Sequence, residues 1–222
     1  MDNDTEEITY DMMRDLDCLE GDLEKFYSIF PNGMEWTGDN LSLVKDVGLD
    51  LGWMFRKMDL TPTDDTREAA CQYTDVSYYY ARFIDKCPRD DPRKGACKEW
   101  GYEYNGSQAA YMYARYVDKC PRNDTRLAAC ENAYLAYLYA LTVDEGPNDI
   151  TREAACHTSE YAYTYAAWID KYPRADTRLA ACKSPKDAFL YARDVDKCRN
   201  ELTEMGVRFS VIYEEQYESE IR

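Results

Sequence analysis

The sequence has a single histidine, His157, among 222 residues. It has no GxxxxGK[ST], GxGxxG or HExxH motif, so phosphate-cradling loops and zincin-type metal centres have no residues to build them. Cys-His nucleophilic chemistry would have to use His157, which directly follows Cys156. Neighbours in sequence point different ways on a helix, so they form no dyad. Long apolar runs are missing too: none approaches the roughly 20 residues that cross a bilayer. The opening Met1–Glu7 is acidic and lacks the basic and apolar regions of a signal peptide, which points to a cytoplasmic protein.

Basic charge is also scarce. Lys and Arg number 27 against 43 Asp and Glu, a net charge of -16 that disfavours direct binding of nucleic acid or an anionic membrane. The imbalance is concentrated: residues 1–65 hold 17 acids and 5 bases. Acids are so widespread that no isolated carboxylate pair marks general acid-base chemistry. No enzyme, cofactor or metal is expected. The nine cysteines are odd in number, come with no secretion signal, and have no C-x2-C spacing, so they read as reduced, mostly buried thiols.

What the chain does contain is a recurring phrase. Asp118-Lys-Cys-Pro-Arg-Asn-Asp-Thr-Arg126 is echoed at Asp85–Arg93 and Asp170–Arg178, and as a stub at Asp196–Cys198. Asp59–Asp65 aligns with Asp85–Asp91 at an offset of 26. The Ala-Cys endings at Cys71, Cys97, Cys130, Cys156 and Cys182 keep the same period, apart from seven extra residues near 99–107. Such periods mark stacked arrays, in which one unit cannot bury its apolar face alone.

Each unit reads as two short helices. Asp65 with Glu68 resembles a capping box for the first, over about 66–73, and Tyr78–Asp85 forms the second, stopped by Pro88. In Tyr137-Leu-Tyr-Ala140 and its counterparts, Ala136, Tyr139, Ala140 and Val143 share one face, which places the second tyrosine inward. The row Asp85, Asp118, Asp144, Asp170 and Asp196, beside Arg89, Arg122 and Arg174, reads as ion pairs and caps between units, with a ligand strip as the alternative.

Before the repeats, apolar residues from Ile8 to Phe30 at three-and-four spacing predict one amphipathic helix over 6–30. Its other face would be a row of Asp11, Asp15, Asp17, Asp22 and Glu24. A second helix follows over 41–58, capped by Asp39 or Asn40. After Cys198 the period is lost, and Met205–Tyr213 alternates like a short strand before a charged tail.

The expected fold is therefore all-α, a solenoid-like array of short helix pairs with a 26-residue period. It divides into an acidic two-helix cap (1–58), tandem repeats (59–198) and a C-terminal cap with a charged tail (199–222). The phrase Tyr-Ala-Arg-x-Val-Asp-Lys-Cys-Pro-Arg-x-Asp-Thr-Arg-x-Ala-Ala-Cys looks like the tandem repeat of proteins encoded by large tailed bacteriophages, over roughly residues 59–198. Glu145-Gly146, Tyr172 and Pro92 depart from the phrase. The resemblance implies a phage origin and an accessory role during infection, and carries over no catalytic residue.

These readings lead to a non-enzymatic protein-binding protein that inhibits or redirects a host defence or nucleic-acid-handling factor, a partner with a basic surface. Its candidate contacts are the acids of the first helix, the tyrosines Tyr79, Tyr111, Tyr137 and Tyr163, and Trp100 and Tyr102 in the insertion. The alternative for the tyrosines is that they fill grooves between helices. The alternative functions are a DNA mimic that uses the 6–30 helix and a virion-associated spacer.

Overall fold

The structure, a computed structural model, describes residues 6–98 and 106–221, so Trp100 and Tyr102 lie outside the described residues. The chain is an all-α array of helical hairpins, and its two compact units are Met1–Asp118 and Lys119–Arg222.

The N-terminal region differs from the expected two-helix cap. A two-residue strand, β1 (Glu7–Ile8), pairs antiparallel with β2 (Met34–Glu35), and between them lie α1 (Tyr10–Asp15) and α2 (Glu20–Ile29). The single helix over 6–30 is therefore broken. Asp17 takes the left-handed conformation (φ 61°), which an α-helix cannot continue through. Thr9 caps α1, and the turn lets Leu16 and Cys18 pack onto the core with Met13, Leu23 and Phe26. The segment over 41–58 is likewise two helices, α3 (Gly38–Asp46) and α4 (Leu51–Lys57), capped by Thr37 and Asp50 and not by Asp39 or Asn40.

The first hairpin pairs α5 (Asp64–Ala70) with α6 (Thr74–Tyr79), which runs on as a π-helical turn, Tyr80–Asp85. The N-cap of α5 is Thr63, in a reciprocal box with Thr66. Asp65 is not the cap; its carboxylate accepts from the Gly38 N–H. In the second hairpin α7 (Asp90–Ala96) precedes α8 (Gly106–Tyr113), which ends in the π turn Ala114–Asp118.

In the other unit the hairpins are α9 (Asn123–Ala129) with α10 (Ala133–Thr142), α11 (Asp149–Ala155) with α12 (Ser159–Tyr165), and α13 (Ala175–Ala181) with α14 (Pro185–Tyr191). The strand expected near Met205–Tyr213 is absent. In its place stand α15 (Glu201–Val207) and α16 (Val211–Glu220), a further hairpin of the same design.

One lock closes every hairpin. The inward tyrosines Tyr80, Tyr113, Tyr139, Tyr165, Tyr191 and Tyr217 are all fully buried, as expected of the second tyrosine. Each hydroxyl accepts from the N–H of the residue that starts the hairpin's first helix: Thr63, Arg89, Arg122, Asn148, Arg174 and Asn200, at 3.0–3.3 Å. In five hairpins it also meets a threonine hydroxyl, for example Thr151 at 2.8 Å. Pro92 takes the threonine's place in the second hairpin, and Tyr113 there keeps its bonds to the Arg89 N–H and carbonyl.

The side chains of this row of aspartates are buried. The arginine that follows the threonine, or Pro92 in the second hairpin, holds each: Arg67–Asp85, Arg93–Asp118, Arg126–Asp144, Arg152–Asp170 and Arg178–Asp196, at 2.6–3.2 Å. These pairs lie within hairpins, and their arginines are not Arg89, Arg122 and Arg174, which sit at first-helix N-caps. In four of the five a π turn precedes the aspartate (Tyr80–Asp85, Ala114–Asp118, Ala166–Asp170 and Ala192–Asp196), and in the fifth α10 stays α-helical to Thr142 before the Asp144 N–H donates to the Tyr139 carbonyl, an i→i+5 bond. In an α-helix a residue five on from the tyrosine lies about 140° around the axis, whereas a turn closed by i→i+5 bonds brings it back over its start. Lys86, Lys119, Glu145, Lys171 and Lys197 then reverse the chain at φ of 54–61°, so Glu145 fills the lysine's place without disturbing the turn.

Hairpins stack through small residues. Ala140 packs with Ala155, and Ala162 and Ala166 with Ala180 and Ala181. A Cβ on Gly95 would lie within bonding distance of Ser77 Oγ, and one on Gly206 would lie 2.7 Å from the Ala188 Cβ.

Replacing Tyr165 with Phe should lower stability by about 1–3 kcal/mol in urea denaturation, because the Asn148 backbone and Thr151 lose a buried partner. Arg152→Ala should cost about 3–5 kcal/mol, since Asp170 would stay buried without its cation. Equal stability of either variant and the parent would contradict the lock.

Candidate functional site

Two of the predicted contact residues, Asp22 and Tyr79, meet in one open cleft of about 520 Å³ in the first unit. Four helices build it: α2 supplies Asp22, α3 Lys45, α4 Arg56, and α6 both Asp75 and Tyr79. Gly48, at φ 73° with open space where a Cβ would be, turns the chain out of α3. Asp50 then caps α4 by accepting from the Trp53 N–H at 2.8 Å. Gly52 lets the Tyr79 ring lie against α4, since a Cβ there would come 3.0 Å from the ring.

Tyr79 is held on both sides. Its ring stacks on Phe83 at 6.2 Å, and the Arg56 guanidinium lies 5.4 Å from its centre. Lys45 Nζ contacts Asp75 at 2.8 Å, and Asp50 stands 3.8 Å from Arg56 with its side chain 59% exposed. A smaller cavity of about 120 Å³ shares Asp75 and Tyr79 and is completed by Tyr78, Gln108, Ala109 and Met112. Carboxylates beside aromatic faces suit a guanidinium or ammonium group, which can stack on the ring while its N–H groups pair with an acid.

No family model, curated protein or solved structure matches this chain.

The remaining predicted contacts do not converge. Asp11 and Asp15 both pair with Arg14, at 2.8 and 3.0 Å, on α1. Asp17 sits in the turn and Glu24 on α2, both exposed, so the five acids form no single helical row. Tyr111 is 4% exposed, with its hydroxyl accepting from Arg115, and presents no ring to a partner. Tyr137 is half-buried and stacks on Tyr161 at 6.3 Å. Tyr163 donates to Asp194 at 2.7 Å; burial and the aspartate push its phenol up to about 12. Tyr111 is thus buried, and Tyr137 and Tyr163 are half-buried against neighbouring side chains. Lys45, Asp50, Arg56 and Asp75 were not among the predicted residues, and no spacing in the sequence marks them as neighbours.

Among the described residues no cluster of His, Cys, Asp and Glu is placed to hold a metal, and no helix is long and apolar enough to cross a membrane. The cysteines are less buried than expected. Cys87, Cys120 and Cys198 of the Lys-Cys turns are exposed, whereas Cys71, Cys130, Cys156 and Cys182 lie at first-helix ends. Burial raises the thiols of this second group, Cys130 to about 12 and the other three to about 11.

Iodoacetamide at neutral pH should therefore label Cys87, Cys120 and Cys198 first, with the four raised thiols reacting on unfolding, as peptide mass spectrometry would read. The linked stability has a definite sign. An unfolded thiol ionises near 8.5, so the folded chain holds these protons longer. The stabilisation is complete below that pH and is lost as pH rises toward 11–12. Labelling of Cys130 as fast as Cys120 would contradict the assignment.

Proposed function

We propose that this chain is a non-enzymatic protein-binding protein, phage-encoded, that engages a basic segment of a host protein and inhibits or redirects it. The observation that carries this reading is the convergence of Asp22, Asp50, Asp75 and Tyr79 on one open cleft of the acidic first unit. A lysine or arginine of the partner would enter beside Tyr79, whose ring Phe83 and Arg56 already flank, and pair with Asp50, the most exposed of the three carboxylates. The excess of 17 acids over 5 bases in residues 1–65 would speed encounter with a basic partner and make it sensitive to salt. The phage origin is supported by the repeat phrase, and a host target follows from that origin.

This cleft is a better-supported contact than a phosphate-like row of acids. Asp11 and Asp15 share Arg14, and the break at Asp17 turns α1 out of line with α2.

The test begins with affinity capture from infected host cells and proceeds to the purified partner. Asp22→Asn with Asp50→Asn keeps an amide cap on α4 while removing two charges. This double variant should weaken partner binding by about tenfold at low salt, and less at high salt. Tyr79→Ala should weaken it at both. Capture that yields no host protein above background, or a partner that binds all three variants like the parent, would refute the reading.

A further inference from the structure

The α15–α16 hairpin follows the shared design inside and abandons it outside. Thr203 and Tyr217 make the usual lock, with their hydroxyls 3.1 Å apart, and Gly206 packs on Ala188. On α14 and the turn that follows it, the face that receives the next hairpin carries Ala188, Phe189 and Ala192, all buried, with Pro185 in line one turn earlier by its spacing. One period later the same face of α16 reads Val211, Glu214, Glu215 and Glu218, all exposed. Phe209 and Ile212 flank its N-terminal end, and Phe209, Val211 and Ile212 are 86%, 69% and 67% exposed.

Two bland accounts fall short. A capping hairpin needs a polar outer face to stop further stacking, and the glutamates for alanines supply it. It has no use for three large apolar side chains in water beside them. Scattered apolar residues are ordinary on a surface, but three within four positions, next to an acidic stripe, form a patch.

We infer that the exposed face of α16, with the turn before it, is a docking surface for an amphipathic basic helix of another protein. The corresponding face of α14 is covered by a helix in this same chain, so the surface has the geometry to receive one. Charge complementarity selects the occupant. Glu218 is held by Arg199 at 2.5 Å, but an incoming helix with small residues, like α15, would leave Glu214 and Glu215 facing apolar surface, whereas lysines or arginines there would pair with them. Its apolar side chains would cover Phe209, Val211 and Ile212. This surface lies in Lys119–Arg222 and is independent of the cleft described above.

The probe is a labelled 18-residue Leu/Lys amphipathic helical peptide, titrated into the full chain at about physiological salt and read by fluorescence anisotropy. The charge-neutral variant Phe209→Ser, Val211→Ser, Ile212→Ser should weaken binding by about tenfold. Glu214→Gln with Glu215→Gln should do the same, and more so at low salt. Leu127→Ser, at an exposed position on α9 outside both surfaces, should leave peptide binding unchanged, which ties binding to this hairpin. The substituted side chains of α16 and the turn before it are exposed on a hairpin held by its own lock, so the fold should persist, as circular dichroism would check. Equal affinity of the triple serine variant and the parent would show binding by charge alone and overturn the inference. So would sedimentation as a dimer through these three residues, which would make a second copy the occupant.

Discussion

The six hairpins from α5 to α16 depend on a buried tyrosine hydroxyl that starts one helix from inside another. A short helix begins with unpaired N–H groups, and seven residues carry too little intrinsic stability to stand alone. In each hairpin the tyrosine of the second helix takes the N–H at the start of the first. In five hairpins threonine shares the hydroxyl, and in the first five of the six an Arg–Asp pair closes beside the tyrosine. Buried polar groups in such a network rigidify a fold when all are satisfied and destabilise it when one is not. The π turn and the left-handed residue after it follow from this requirement, since together they bring the aspartate to the arginine and send the chain back.

The lock leaves the outer surfaces free of structural duty. One candidate surface lies where the N-terminal region meets the repeats, and there Gly52 lets the Tyr79 ring lie against α4 beside Arg56 in a cleft lined by carboxylates. The other arises where the repeat is altered. At Glu214 and Glu218 alanines are replaced, and stacking gives way to an exposed acidic stripe with apolar neighbours. A repeat protein of this kind varies its surface without risk to its core, because the residues that hold each hairpin point inward.

Much of the architecture was legible from the chain. The period, the helices and the inward second tyrosine all follow from spacing, because a helix places i, i+3, i+4 and i+7 on one face whatever it packs against. The breaks were harder to see. The apolar spacing of residues 6–30 is the same for one long helix as for two short ones whose turn also buries Leu16. The hairpin at 201–220 went unseen because it lacks the Ala-Cys ending and keeps only Asn200, Thr203 and Tyr217 at their distances.

What the sequence determined by itself is the repeating unit, since local periodicity and a few fixed partners within a hairpin suffice to define it. The tertiary structure decided which arginine holds each aspartate, which tyrosines are covered, and which acids share a cleft. Asp22, Asp50 and Asp75 lie on separate elements, and only the packing of α2, α3, α4 and α6 brings their charges together. Burial and proximity are properties of that packing, and periodicity within one helix contains no information about them.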